Sequence, residues 1–108
     1  MNDEAEIWEL RHGDVLIGRL KVTEKDMPWY NAQFEPTPEY TPYTPVFAEG
    51  NSVRSGDDQA AWSKWRKQIQ ELGLQLIRLH DQAVASEFLL YIDGSTADFR
   101  PYLDLAKG

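Results

Sequence analysis

The sequence contains no cysteine, so neither a disulfide bond nor a thiolate metal site can form. The only histidines are His12 and His80, and they lack the four-residue spacing with which two histidines on a helix share a metal ion. Phosphate-loop, dinucleotide-binding and nucleophile-elbow motifs are also missing. We therefore predict no metal and no cofactor, and no motif indicates a particular chemistry.

Long apolar runs are absent as well. No stretch approaches the roughly 20 apolar residues that a membrane helix needs. The first residues, Met1 to Glu6, are acidic and lack the basic and then apolar layout of a signal peptide. These features predict a soluble, cytoplasmic protein that does not contact a membrane, although a phage protein or a secreted effector would also fit them.

Basic residues are in the minority, since 11 Lys and Arg stand against 18 Asp and Glu and give a net charge of −7. Binding to nucleic-acid phosphates needs clustered Lys and Arg. The one basic concentration, Lys64, Arg66 and Lys67, is typical of a solvated helix face. We predict no nucleic-acid partner, because an acidic surface instead keeps a protein soluble or meets a basic protein.

The chain does have enough apolar material for one core. It has 108 residues, of which 42% are hydrophobic, including four Trp, five Tyr and four Phe. Each buried aromatic side chain removes on the order of 150–250 Å² from water. A chain of this length usually forms one domain, which we expect to span residues 1–108.

Alternating apolar residues predict a β-hairpin near the N-terminus. Trp8 and Leu10 alternate with charged residues, and a second alternating run covers residues 15–22. Gly13 and Asp14 between the two runs suit a tight turn with a positive φ.

The next part of the sequence changes character twice. Residues 23–28 are polar, which predicts a loop, and the alternation over residues 30–35 predicts a third, short strand. Residues 36–45 form a Pro/Tyr-rich segment with four prolines. Because proline fixes φ and lacks an N–H group, we expect an extended, polyproline-like loop there. Val46 and Phe47 are expected to dock this loop onto the core before a further loop.

One amphipathic helix is predicted in the middle of the chain. Ser55 is the expected N-cap, and Asp57 and Asp58 suit the positive end of the helix dipole. Gly73 fits a left-handed C-cap. The apolar stripe, spaced by three and four residues, consists of Ala61, Trp62, Trp65, Ile69 and Leu72.

The sequence after Gly73 allows two interpretations. The helical spacing continues through Leu76 and Leu79, so the helix could run to about His80. However, a glycine inside a helix costs about 1 kcal/mol relative to alanine. A short, dense apolar run that opens just after a glycine is typical of a buried strand. We favour a strand over residues 74–79.

The last part of the chain predicts two more strands, at residues 86–93 and 97–103, joined by a turn at residues 93–96. Asp93 and Asp98 flank that turn, but the spacing and closing Glu of a calcium loop are missing. The predicted fold class is α+β. We expect an antiparallel sheet of five to six strands with one amphipathic helix packed on one face, in the order ββ(β)-α-βββ.

Four aromatic residues in or beside polar or proline-rich sequence are the candidate binding residues: Trp29, Tyr30, Tyr40 and Tyr43. Aromatic side chains on stiff backbone lose little entropy on docking, which makes them good anchors for a partner. The alternative is that these rings clamp the proline-rich loop onto the sheet.

These features favour a small, acidic, non-enzymatic binding or regulatory domain that acts through contacts with an unidentified protein. An acidic inhibitor or immunity-type protein, which blocks a basic partner, is a variant of this hypothesis. A second hypothesis is a small enzyme with a pocket between the sheet and the proline loop, using Asp14, Asp26, Glu35 and His80 as acid–base groups. A homo-oligomer that pairs through the loop or an edge strand is a third.

Overall fold

The computed structural model describes residues 6–102, which form seven β-strands, two α-helices and one 3₁₀ helix. In chain order these are β1 (Ile7–His12), β2 (Val15–Asp26), β3 (Trp29–Pro36), the 3₁₀ helix (Pro38–Tyr43), α1 (Thr44–Ser55), α2 (Gln59–Glu71), β4 (Gln75–Arg78), β5 (Ala83–Ala85), β6 (Glu87–Asp93) and β7 (Thr96–Tyr102). The strands form a single antiparallel sheet in the order β5-β4-β1-β2-β3-β7-β6. The α+β class and the antiparallel sheet are confirmed, whereas the prediction of five to six strands and one helix is wrong.

Two glycines lie at the ends of secondary-structure elements, as predicted from the sequence. Gly13, with a φ of 61°, lies in the turn between β1 and β2. Gly73, with a φ of 72°, follows α2 and allows the chain to turn into β4. Leu76 of β4 pairs with Leu10 of β1, so the strand interpretation of residues 74–79 is confirmed over residues 75–78.

The sheet curls strongly around its core. Trp8 on β1 and Phe99 on β7 are three strand positions apart, which is roughly 14 Å in a flat sheet. Their ring centroids are nevertheless only 5.3 Å apart. In addition, the edge strands β5 and β6 are joined by a single residue, Ser86. The two edges therefore approach each other, and the sheet bends towards a barrel.

The core fills the inside of this curl. Trp8, Tyr30 and Phe99 form an aromatic group at its centre, with centroid distances of 5.0 to 5.8 Å. Burial of large apolar side chains is the main term that stabilises such a domain. The largest fully buried side chains are Trp8, Trp65, Phe47, Phe99, Leu10, Ile17, Leu20, Leu76 and Leu90.

Both α-helices pack at the β6 end of the sheet. The Asn51 side chain of α1 donates a hydrogen bond of 2.7 Å to the Ile92 carbonyl of β6, which satisfies an acceptor on the edge strand. The Trp65 ring of α2 stacks on Tyr91 at 5.3 Å, and its indole N–H donates to the Val46 carbonyl at 2.8 Å. Because the helices cover its outer face, β6 is buried on both faces over residues 88–92.

The proline-rich segment is helical, which corrects the prediction of an extended loop over residues 36–45. The Thr37 hydroxyl caps the 3₁₀ helix by accepting from the Glu39 N–H at 3.2 Å. Proline's φ of about −65° suits a first helical turn as well as an extended chain. Pro38 and Pro45 occupy such first turns of the 3₁₀ helix and α1. Phe47 is fully buried, so its predicted docking onto the core is confirmed.

Other predicted boundaries need correction. The predicted loop over residues 23–28 is largely strand, because β2 continues to Asp26 and pairs with β3 beyond the bulge after Val22. This extension is exposed, so no apolar alternation marks it. The N-cap of α2 is Asp58, whose carboxylate accepts from the Ala61 N–H at 3.1 Å, and not Ser55.

Two predicted segments lie partly outside the described residues. These are the acidic start of the chain before Glu6 and the end of the last predicted strand at Leu103.

Glu6 links three parts of the sheet through its carboxylate. It accepts hydrogen bonds of 2.7 Å from both the Trp8 indole N–H and the Lys25 ammonium. Partial burial tends to raise the pKa of Glu6, but the hydrogen bonds from Lys25 and Trp8 and the charge of Arg78 outweigh it. The pKa of Glu6 is therefore lowered below its usual value of 4.5.

This lowered pKa predicts a loss of stability in acid. Glu6 stabilises the fold above pH 4.5, and its contribution is lost as the pH falls through the folded-state pKa. In Glu6→Gln, the free energy of unfolding should therefore depend less on pH below about 4.5. Urea unfolding at a series of pH values measures this slope.

Asp81 serves as the control for the pH series. Hydrogen bonds from Arg78 and from the Ala83 backbone N–H lower the pKa of Asp81 from 3.8 to about 2. Asp81→Asn should therefore change the slope only at the lower pH values, between 3.8 and about 2. An unaltered slope in Glu6→Gln just below pH 4.5 would contradict the role of Glu6.

Candidate functional site

The structure separates the four predicted binding residues into two groups. Tyr30 is buried in the core, where it stacks on Phe99 at 5.0 Å. Tyr40 packs edge-on against Phe34 at 5.0 Å, and burial raises the pKa of its phenol above 10.0. Tyr43 is also partly buried against the core. Tyr30, Tyr40 and Tyr43 thus support the sheet and the 3₁₀ helix, while their part in binding stays a prediction.

Trp29 lies elsewhere, as the first residue of β3, and it is only half-buried. It lines a recess of about 210 Å³ together with Asp26, Asn31, Arg54 and Asp98. These five residues come from β2, β3, α1 and β7. We call this depression the Trp29 recess, because here a predicted binding residue lines a concave, polar surface.

Tyr91 of β6 organises the aromatic side chains next to the recess. Its ring stacks on Trp65 at 5.3 Å and lies 6.1 Å from the Trp29 ring. Its hydroxyl accepts a hydrogen bond of 2.7 Å from the Trp62 indole N–H. Tyr91 is buried, so these contacts hold the surrounding rings on a rigid strand.

Arg54, the penultimate residue of α1, lies over this aromatic group. Its guanidinium carbon is 4.2 Å from the Tyr91 centroid and 5.9 Å from the Trp29 centroid, which is cation–π geometry. Its Nη1 atom lies 3.0 Å from Oδ2 of Asp98. The other oxygen of Asp98 accepts a 2.7 Å hydrogen bond from Asn31 Nδ2, which orients the carboxylate.

A second recess, of about 300 Å³, adjoins the first at Arg54. Its lining includes the Asp57 and Asp58 carboxylates from the α1–α2 connection and the Trp62 ring of α2. Among the described residues that line the two recesses, four are aspartates and Arg54 is the one cation. The surface is therefore acidic, with aromatic walls.

Met27 lies between two residues that line the Trp29 recess, Asp26 and Trp29. It lies in the β2–β3 turn and is 67% exposed. Exposed methionine is adaptable and is over-represented at surfaces that bind other proteins. No pattern in the sequence singles out Met27, because a lone methionine before a proline carries no periodic signal.

Arg54, Tyr91 and Asp98 were also missed as site residues. Tyr91 lies on the face of β6 opposite Leu90 and Ile92, and nothing in the sequence indicates that α2 covers that face. Asp98 lies inside β7, within the predicted strand over residues 97–103, but nothing in the sequence indicates that it lies opposite Tyr91 and Asn31. The turn itself, at Gly94, is confirmed.

The acid–base groups of the enzyme hypothesis are dispersed. Asp14 lies in the β1–β2 turn, Glu35 near the end of β3 and His80 between β4 and β5. Only Asp26 of the four lines the Trp29 recess. Over residues 6–102, no three His, Asp or Glu side chains gather in a group suited to hold a metal ion.

The fold and the site together define a small α+β protein in which two helices close one edge of a curled antiparallel sheet, beside an acidic recess with aromatic walls. Comparisons with protein-family models, with curated proteins and with solved structures find no match to this chain. Within residues 6–102, no helix is both long enough and apolar enough to cross a membrane.

Proposed function

We propose that this protein is a non-enzymatic binding domain that engages a partner protein through the Trp29 recess and its rim. The observation that carries the proposal is the exposed Met27 in the turn between Asp26 and the half-buried Trp29, two residues that line the recess. An exposed apolar side chain next to an aromatic ring and a recess provides the anchor and pocket that concentrate binding energy in protein interfaces.

Charge supports a basic partner. The protein has a net charge of −7, and the carboxylates of Asp26 and Asp98 line the recess. Complementary charge speeds the encounter of two proteins and disfavours acidic competitors. An inhibitor or immunity-type role would be one use of such binding.

The stacking of Trp29 on Tyr91 supports a preformed surface. The Trp29 ring is held at 6.1 Å from a buried ring, so it is already ordered before a partner arrives. Preorganisation reduces the entropy lost on association. The recess therefore favours binding more than the proline-rich segment does, because Tyr40 of that segment is occupied with Phe34 and Phe47.

Replacing Met27 with serine should reduce partner binding at least about tenfold, which corresponds to loss of one well-packed anchor. Affinity capture from the native source, with quantitative mass spectrometry, measures this for the wild type and the variant. Met27→Ser should leave the thermal midpoint nearly unchanged, because the side chain is exposed.

Val15→Ser is the matched control. Val15 is also an exposed apolar residue next to a hairpin turn, 43% exposed, but it lies in the β1–β2 hairpin. A protein that the wild type and Val15→Ser capture and Met27→Ser does not is the expected partner. Equal capture by all three proteins would overturn the proposal.

A further inference from the structure

Arg54 separates the two recesses. It is the one residue that lines both of them, and its side chain is 43% exposed. Its guanidinium lies over the Tyr91 ring and pairs with Asp98. The protein's own arginine therefore shows which chemical group this place accepts, namely a planar cation between an aromatic face and a carboxylate.

The contacts of Arg54 are weak enough for another cation to replace them. An ion pair between partly exposed side chains is weak, and a cation–π contact at an exposed site adds little more. Arg54 also sits one residue before the end of α1, where its backbone needs no change when the side chain swings away.

A groove remains when the Arg54 side chain leaves. Because Arg54 lines both recesses and covers the Tyr91 ring, we expect the recesses to join along this ring, between Trp29 and Trp62. All four charged residues that still line this groove are aspartates: Asp26, Asp57, Asp58 and Asp98. Such a groove attracts a cation and disfavours an anion.

We propose that the Arg54 side chain is displaced on binding. An arginine side chain of the basic partner then takes its position over Tyr91 and against Asp98. This inference rests on the proposed binding function and names the group that is recognised. Arginine fits better than lysine because its planar guanidinium both stacks on a ring and pairs with a carboxylate.

The test uses N-acetyl-arginine amide as the probe and the indole N–H signals of Trp29 and Trp62 in NMR spectra as the readout. Arg54→Ala should bind the probe about tenfold more tightly than the wild type, because the competing internal guanidinium is gone. The neutral analogue N-acetyl-citrulline amide should not bind, and Asp98→Asn in the Arg54→Ala background should abolish the gain.

Arg78→Ala is the matched control, since Arg78 also combines a carboxylate partner, Asp81, with a cation–π contact, to Trp8. In this variant the probe should shift the Trp29 and Trp62 signals at the same concentrations as in the wild type. Arg54→Gln, which retains more of the side chain, serves as a second variant should Arg54→Ala fold poorly, and it should also bind more tightly than the wild type.

The proposed exchange would be overturned if Arg54→Ala and Arg54→Gln bound the probe no more tightly than the wild type. It would also be overturned if the citrulline analogue bound as tightly as the arginine probe. If Met27→Ser still lost its partner in that case, the proposed function would stand without the exchange. If the probe bound as expected but Met27→Ser captured everything that the wild type captures, the proposed function would fail by itself.

Discussion

Trp65→Ala should lower the free energy of unfolding by about 3–5 kcal/mol, the usual loss for a large buried aromatic side chain. Trp65 is 1% exposed, stacks on Tyr91 and donates its indole hydrogen bond to the Val46 carbonyl. Its loss leaves a cavity at the place where α1, α2 and β6 meet. Urea unfolding followed by circular dichroism measures the change.

Trp62→Ala provides the comparison for Trp65→Ala. Trp62 lies on the same stripe of α2, but it is only half-buried and keeps one hydrogen bond, to the Tyr91 hydroxyl. Trp62→Ala should therefore lower the free energy of unfolding clearly less than Trp65→Ala does. Equal losses for the two variants would show that Trp65 does not hold the helices against the sheet as the structure indicates.

Gly50→Ala should also destabilise the protein, by about 1–3 kcal/mol, although alanine normally stabilises a helix relative to glycine. A Cβ atom at position 50 would clash with Cζ2 and Cε2 of the Trp65 ring. Because the Trp65 ring is buried, we expect α1 to shift away from α2 to relieve this clash. Urea unfolding, as for Trp65→Ala, measures the loss.

Gly56→Ala is the control for Gly50→Ala, because a Cβ atom there meets only the Ser52 carbonyl oxygen, at 3.6 Å. It should change stability by less than about 0.5 kcal/mol. Because Gly50 and Trp65 are in direct contact, the Gly50→Ala/Trp65→Ala double variant should lose less than the sum of the single losses. Additive losses, or a Gly50→Ala variant as stable as the wild type, would contradict the close approach of α1 and α2.

Local patterns in the sequence were sufficient to predict the location of most strands and of α2. Apolar alternation located the strands β1, β2, β3, β6 and β7, and spacing by three and four located the stripe of Trp65 and Ile69 that α2 buries. Glycine at positions 13 and 73 marked two element ends, because a positive φ suits glycine. In each case the signal lies within a few neighbouring residues, and one face of the element is buried.

Local sequence patterns do not predict α1 or the 3₁₀ helix in the proline-rich segment. Only Phe47 and Gly50 of α1 are buried, so the helix has almost no apolar periodicity to detect. Proline at the start of a helix and proline in an extended segment share the same φ. The choice between them depends on packing, here of Phe47 against Tyr40 and of Gly50 against Trp65.

The sequence was sufficient to predict the fold class, and it gives the net charge of −7 and makes Trp29 a candidate binding residue. What surrounds Trp29 depends on the tertiary structure, because Trp29, Arg54, Tyr91 and Asp98 come from β3, α1, β6 and β7. The pairing of β3 with β7 and of β7 with β6, and the packing of α1 on β6, bring these side chains together. Short-range patterns report which face of an element is buried, whereas a site assembled from distant segments depends on how the whole sheet curls and on which edge the helices cover.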